Sequence, residues 1–194
     1  MKLFGMVALI GSMALSAGAF EIGDDGLHKT PWQHDTFRDL REDLVSANDE
    51  GKTLLIMWEQ RGCIYCTKMH ESVFPDPEIE ALLSEQYYVV QYNLFGDLEV
   101  TDFDGDVRSE KEMALKWGVM FTPNLMFFPE EVEEGITAPQ AAVVNMPGAF
   151  GKWTMKNLLT WVREKGYDGD ENFQKYHAQK IMEAREAGVD LSGE

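Results

Sequence analysis

The chain has 194 residues, 44% of them hydrophobic, enough for one compact domain with its own core. Lys and Arg total 17 against 34 Asp and Glu, a net charge of −17. Such a surface repels phosphate backbones and anionic lipid heads, which argues against nucleic-acid binding; the acid excess reads as a solvated exterior.

Met1 and Lys2 precede an apolar run of small residues over 3–15, and Ser16-Ala17-Gly18-Ala19 closes it with small residues at the positions a signal peptidase reads. Residues 1–19 are therefore expected to be a secretory signal, with Phe20 opening the mature chain. The run is shorter than the ~20 apolar residues of a membrane span, so no span is expected once the signal is removed. No Cys follows the run, so a lipid anchor is not indicated.

Asp35 can cap a first helix carrying Phe37, Leu40 and Leu44 on one face and ending near Gly51. Residues 53–58, Thr-Leu-Leu-Ile-Met-Trp, form a short continuous apolar run, the pattern of a strand buried on both faces. Cys63 follows at once, and a helical pattern runs on through Lys68 and Met69. Asp76-Pro77-Glu78 supplies an N-cap, a proline at the first helical position and a first-turn acid, and Leu82 and Leu83 carry that helix inward. Residues 87–92, rich in Tyr and Val, predict the next strand. An acidic, turn-rich insertion spans 93–107. Ser109 and Glu112 form a capping box for a helix holding Met113 and Trp117 and stopping at Gly118. Strands are expected at 124–128 and 141–146. Met155, Leu158, Leu159 and Val162 recur at helical spacing before Gly166, and a last helix from about Asp170 places Phe173, Tyr176 and Ile181 on one side. Early strands alternate with helices and late strands are adjacent, which predicts an α/β mixed sheet with helices on both faces.

The chain has two cysteines, Cys63 and Cys66. A two-residue gap closes too small a loop to act as a structural staple, so the pair points to redox or metal chemistry. A strand-to-helix junction offers unpaired N–H groups and a partial positive charge, both of which stabilise a thiolate. Cys63 is thus the expected attacking sulfur and Cys66, one turn in, the resolving one. A structural zinc site wants four ligands, whereas His70 would add only a third; it is read as a packing or surface residue. A c-type haem needs His where Thr67 stands. Asp102, Asp104 and Asp106 hint at calcium but lack the EF-hand spacing, and Asp104-Gly105 reads better as a hairpin turn. Thr122-Pro123 opens a strand, at a place where a cis bond costs little.

These residues resemble the thioredoxin superfamily over 35–165, with 166–194 as a C-terminal helical extension. The matching pieces are the strand before the pair, the Cys63-Ile64-Tyr65-Cys66 helix start, Thr122-Pro123 and Gly148. Within the superfamily, the stretches Trp58-Glu-Gln-Arg-Gly-Cys-Ile-Tyr-Cys-Thr-Lys-Met-His70 and 93–106, continued by 109–119, look like the periplasmic thioredoxins of bacterial sulfur-oxidation clusters, the SoxW-like group. Departures are Arg61 and Ile64, where relatives often carry Pro. The resemblance implies a thioredoxin fold with an acidic hairpin-like insertion and a cis peptide at Pro123 against the Cys63–Cys66 disulfide. It also implies that the Thr122 backbone pairs with an extended substrate, with Ile64 and Tyr65 beside it. Ordinary thioredoxins carry a buried acid six residues before the first Cys, here Met57. Glu59 shares its strand face and is the expected proton acceptor for Cys66, directly or through a water; the alternative is local pairing with Arg61 or Lys68. With no charge between the cysteines, the pair is expected to reduce disulfides rather than introduce them. The implied setting is periplasmic. The implied partners are disulfides of exported proteins, such as sulfur-carrier or cytochrome-maturation proteins, and a membrane thiol transporter as electron donor. No cofactor or metal is expected.

Overall fold

The computed structural model of the protein describes residues 21–192; the expected signal at 1–19 lies outside them. Two short strands, β1 (Glu21–Ile22) and β2 (His28–Lys29), pair as an antiparallel hairpin ahead of β3 (Gln33–His34). There follow α1 (Leu40–Asp49), β4 (Thr53–Glu59), α2 (Ile64–Ser72), α3 (Pro77–Gln86), β5 (Tyr87–Asn93), β6 (Glu99–Thr101), β7 (Val107–Ser109), α4 (Glu110–Trp117), β8 (Asn124–Phe127), α5 (Ala138–Ala141), β9 (Val144–Pro147), α6 (Lys152–Arg163) and α7 (Phe173–Glu186).

The central sheet has the order β3-β5-β4-β8-β9. β3, β5 and β4 run parallel, while β8 and β9 are antiparallel to their neighbours. The middle strand, β4, explains the layering. Leu54, Ile56 and Trp58 enter one core with Leu40 and Leu44 of α1 and Met113 and Trp117 of α4. Leu55 and Met57 enter the opposite core with Met69 of α2, Ile79 and Leu83 of α3, and Met155 and Leu158 of α6. Period-2 alternation of an all-apolar strand thus feeds both faces, and this is a thioredoxin fold. Glu59 is next in the second set and inherits that face.

The acidic insertion forms the expected hairpin, β6 pairing antiparallel with β7 around Gly105, whose φ of +83° suits glycine. The capping box at Ser109 and the left-handed stop at Gly118 are both present on α4. On α7, Phe173 packs on Trp161 of α6 at 5.7 Å between ring centroids, and Asn157 bonds His177 at 2.9 Å.

Two expectations are corrected. The first helix is capped by Asp39, not Asp35: its carboxylate accepts N–H bonds from Arg41 and Glu42, and Phe37 is 93% exposed. Ala141 ends a helix rather than starting a strand. Thr137 and Gln140 form a capping box with a proline in the first turn, so 138–141 coils and the strand begins at Val144.

Candidate functional site

β4 delivers the chain to the site, and Gly62, at φ +72° with open space where a Cβ would project, turns it into α2. Cys63 is the N-cap of α2: its Sγ accepts the N–H of Cys66 at 3.0 Å, standing where a Ser or Asp oxygen would in an ordinary cap. The helix's positive end is therefore spent on this sulfur, which favours its thiolate when the pair is reduced. In this structure Cys63 and Cys66 are joined as a disulfide. Cys63 retains 6% exposure and Cys66 none, so an incoming sulfur can approach only Cys63.

The loop before β8 closes over the pair. The Thr122–Pro123 bond is cis, and Thr122 places its carbonyl oxygen 3.6 Å and its Oγ1 3.4 Å from Cys63 Sγ. Beside it runs an open groove of about 420 Å³ lined by Tyr65, Phe121, Thr122, Pro147, Gly148 and Ala149. Tyr65 and Phe121 are 59% and 66% exposed and give the groove apolar walls. Ile64, expected beside the substrate, is 73% exposed and is not among the residues that line that groove.

Beneath the pair the chemistry changes. Glu59 is fully buried. Its Oε1 is 2.8 Å from Nε2 of His70, and its Oε2 accepts from Nε2 of Gln91 at 2.5 Å and lies 3.9 Å from Nδ1 of His28. The expected alternative, local pairing of Glu59 with Arg61, is not what forms: Arg61 donates to the backbone oxygens of Asp24 and Asp25. His70, read from sequence as a packing or surface residue, is a buried hydrogen-bonding partner of the acid. Cys66 and His70 are four residues apart on the buried face of α2, so one helical turn separates the Cys66 residue from this imidazole. His28 lies flat on His70, with centroids 4.3 Å apart and planes at 11°, and its Nε2 is 3.1 Å from Thr67 Oγ1. Burial, reinforced by the charge of His70 and opposed by Glu59, holds His28 below the usual imidazole range.

Sequence reasoning missed His28 and Gln91. A polar residue inside the apolar run of β5 is a signal for Gln91, whereas nothing local marks His28. The ligand atoms of His28, Glu59 and His70 lie within 4.8 Å of one another, as in a metal site. The near-parallel stack argues against that use, because a metal in the plane of one ring lies out of the plane of the other. The arrangement is that of a buried hydrogen-bonded cluster.

The hairpin acids resolve differently. Nζ of Lys116 sits 2.8 Å from Asp102, 2.8 Å from Asp104 and 3.1 Å from Asp106, filling with an ammonium the place a calcium ion would need. Asp102, fully buried, also accepts from Trp117 Nε1 and from the backbone of Phe103 and Ala138, tying the hairpin to α4 and α5.

The mixed sheet, the helix-capping disulfide and the cis-proline loop over it define a thioredoxin-fold protein with the centre of a thiol–disulfide oxidoreductase. The chain belongs to the thioredoxin-like domain family, whose model matches residues 40–142. Among solved structures it is similar to a thioredoxin-fold protein from Helicobacter pylori, at 15% identity and a TM-score of 0.53, over 73% of this chain and 87% of that one. It is also similar to a thioredoxin from Thermus thermophilus, at 21% identity and a TM-score of 0.50, over 65% of this chain and 85% of that one. Comparison with the curated proteins finds no match.

Proposed function

We propose that this protein is an exported reductant of protein disulfides, acting through Cys63 and Cys66 in a catalytic unit at 35–165, with 166–194 as its helical extension. The observation that carries the reading is Cys63 at the helix N-cap, accepting the Cys66 N–H and touching Thr122 beside an apolar groove. In the reduced protein the Cys63 thiolate attacks a client disulfide, forming a mixed disulfide and releasing one client thiol. Cys66 then loses its proton to Glu59 and attacks Cys63 Sγ. The Cys63–Cys66 bond forms, the second client sulfur leaves as a thiol, and two electrons have passed from the protein to the client. Thr122, Pro123 and Tyr65 hold the client segment in extended form along the groove, with Ile64 beside it.

The direction follows from the neutral Ile64-Tyr65 between the cysteines, which adds no cation to stabilise the reduced form. The residues before and after the pair that look like SoxW-type proteins support a periplasmic setting, clients in sulfur oxidation or cytochrome maturation, and a membrane thiol transporter as donor. Among the described residues no helix is long and apolar enough to cross a membrane.

Equilibrating the pair against glutathione mixtures tests the direction. A midpoint near about −270 mV, the thioredoxin value, is expected; one near about −120 mV, that of a dedicated oxidant of this fold, overturns it. The clients are sought by trapping mixed disulfides on a Cys66→Ser variant in periplasmic extract.

A further inference from the structure

The buried acid beneath the disulfide does not stand alone, and its partners come from two other elements. Glu59 ends β4, His70 lies on α2 one turn below Cys66, and His28 comes from β2, ahead of the 40–142 stretch that matches the family. One carboxylate oxygen meets His70 and the other meets Gln91 and faces His28. Among the described residues, Glu71 on α2, whose field reaches His28, and Lys29 on β2, which bonds Gln91 at 2.9 Å, are charged groups near the cluster.

The segment that carries His28 is clamped in place. Gln91 Nε2 donates to the His28 backbone oxygen at 2.8 Å, Thr67 meets its ring, and Arg61 in the active-site loop holds the hairpin at Asp24 and Asp25. Trp32 stacks near His70 at 6.4 Å and Phe74 meets it edge-on at 4.9 Å between ring centroids. Both imidazoles are thus buried and fixed in orientation around one carboxylate.

We propose that Glu59 and His70 work as a single proton-accepting pair for Cys66, with His70 a positioning residue that acts through Glu59 and His28 steadying the pair from the N-terminal hairpin. This rests on the proposed reaction above. When Cys66–SH gives up its proton, the Glu59–His70 hydrogen bond receives and shares it, and the Cys66 thiolate attacks Cys63. A buried carboxylate held by one donor only would be free to rotate; held by His70 and Gln91 it keeps one orientation.

The test isolates the resolving step. Reduced full-length chain is mixed with 5,5′-dithiobis(2-nitrobenzoate). Cys63 releases a first thionitrobenzoate, and Cys66, attacking the mixed disulfide, releases the second. The rate of the second release is followed from pH 5 to 10 for the parent, Glu59→Gln, His70→Gln and the double variant. Glu59→Gln and His70→Gln are each expected to slow it by about tenfold or more near pH 7, and to converge on the parent at high pH, where hydroxide removes the proton. The double variant is expected to be no slower than Glu59→Gln.

Slow Glu59→Gln with a parent-like His70→Gln overturns this inference alone. Parent-like rates in both remove Glu59 from the proposed reaction as well, and absence of any second release removes the reaction itself. Further slowing in the double variant shows His70 acting independently and also overturns the inference, as does a stoichiometric metal in the purified protein. Thermal unfolding is measured alongside, because a purely structural role lowers stability while leaving the shape of the pH profile intact. Should His70→Gln fail to fold, His28→Gln carries the comparison: a profile shifted in the same direction by a smaller factor supports the pairing, and a parent-like profile overturns it.

Discussion

Two buried acids, Asp102 in the hairpin and Glu59 beneath the disulfide, differ chiefly in what neutralises them. Asp102 is held by a lysine, whose Nζ reaches three aspartates at once and is kept charged well above the usual lysine range by them, against the opposing effect of burial. Glu59 is held by an imidazole and an amide, with a second imidazole at 3.9 Å. A lysine in such a cage never gives its proton back in the working pH range, so the hairpin is a permanent clamp. An imidazole has two ring nitrogens that can donate or accept, whereas an ammonium only donates, so the two acids sit in chemically different settings. A third buried acid, Asp43, offers a further contrast. Among the described residues the Thr36 hydroxyl donates to it at 3.3 Å, and burial pushes its carboxyl up to about 7 despite that bond and the charge of Arg38.

The comparison can be broken at several points. The largest effect is at the sulfurs. Cys63→Ser is expected to abolish insulin reduction, whereas Cys66→Ser is expected to keep the first attack and accumulate a mixed disulfide, read by mass spectrometry under non-reducing conditions. Next is the permanent clamp. Lys116→Met leaves Asp102 buried without its cation and is expected to cost about 3–5 kcal/mol, read as a lower urea midpoint.

Asp43 has the opposite sign. Its folded-state pKa, about 7, lies above the ordinary 3.8, so the folded protein holds more protons than the unfolded chain between those values. Stability is therefore highest at low pH on this group's account and is lost as pH rises through about 7. Asp43→Asn is expected to remove that loss, about 2–3 kcal/mol between pH 5 and pH 8, measured by urea unfolding at both values. The smallest effect is the control. Lys111 pairs with Asp97 at 2.5 Å on the same helix as Lys116, but both side chains are exposed, and Lys111→Met is expected to leave the urea midpoint unchanged.

How much of this was legible in the sequence depended on the distance over which each feature is determined. Cys63 at a helix start, the cap at Ser109, the stop at Gly118 and the apolar run of β4 are settled by neighbours within a turn or a strand, and all stand in the structure. The capping box at Thr137 and Gln140 was equally local and could have been read, because Thr, a first-turn proline and a Gln three residues on is a start signal. Asp35 and Asp39 offered rival caps. The chain chose Asp39, with Arg38 at a φ of +58° turning the backbone so that Asp39 and not Asp35 faces the free N–H groups.

The partners of the buried charges were set by packing. His28 and His70 are 42 residues apart in sequence, and only the docking of the N-terminal hairpin on α2 stacks them. Lys116 reaches Asp102 because the hairpin folds back on α4. A sequence shows that a carboxylate is present and, through strand alternation, which face it enters. Whether lysine, imidazole or a hydroxyl meets it there depends on tertiary contacts between segments far apart in the chain. That partner decides whether the acid is locked into an ion pair, held by neutral hydrogen bonds or left costly, because in a buried site the counter-group replaces the water that would otherwise solvate it.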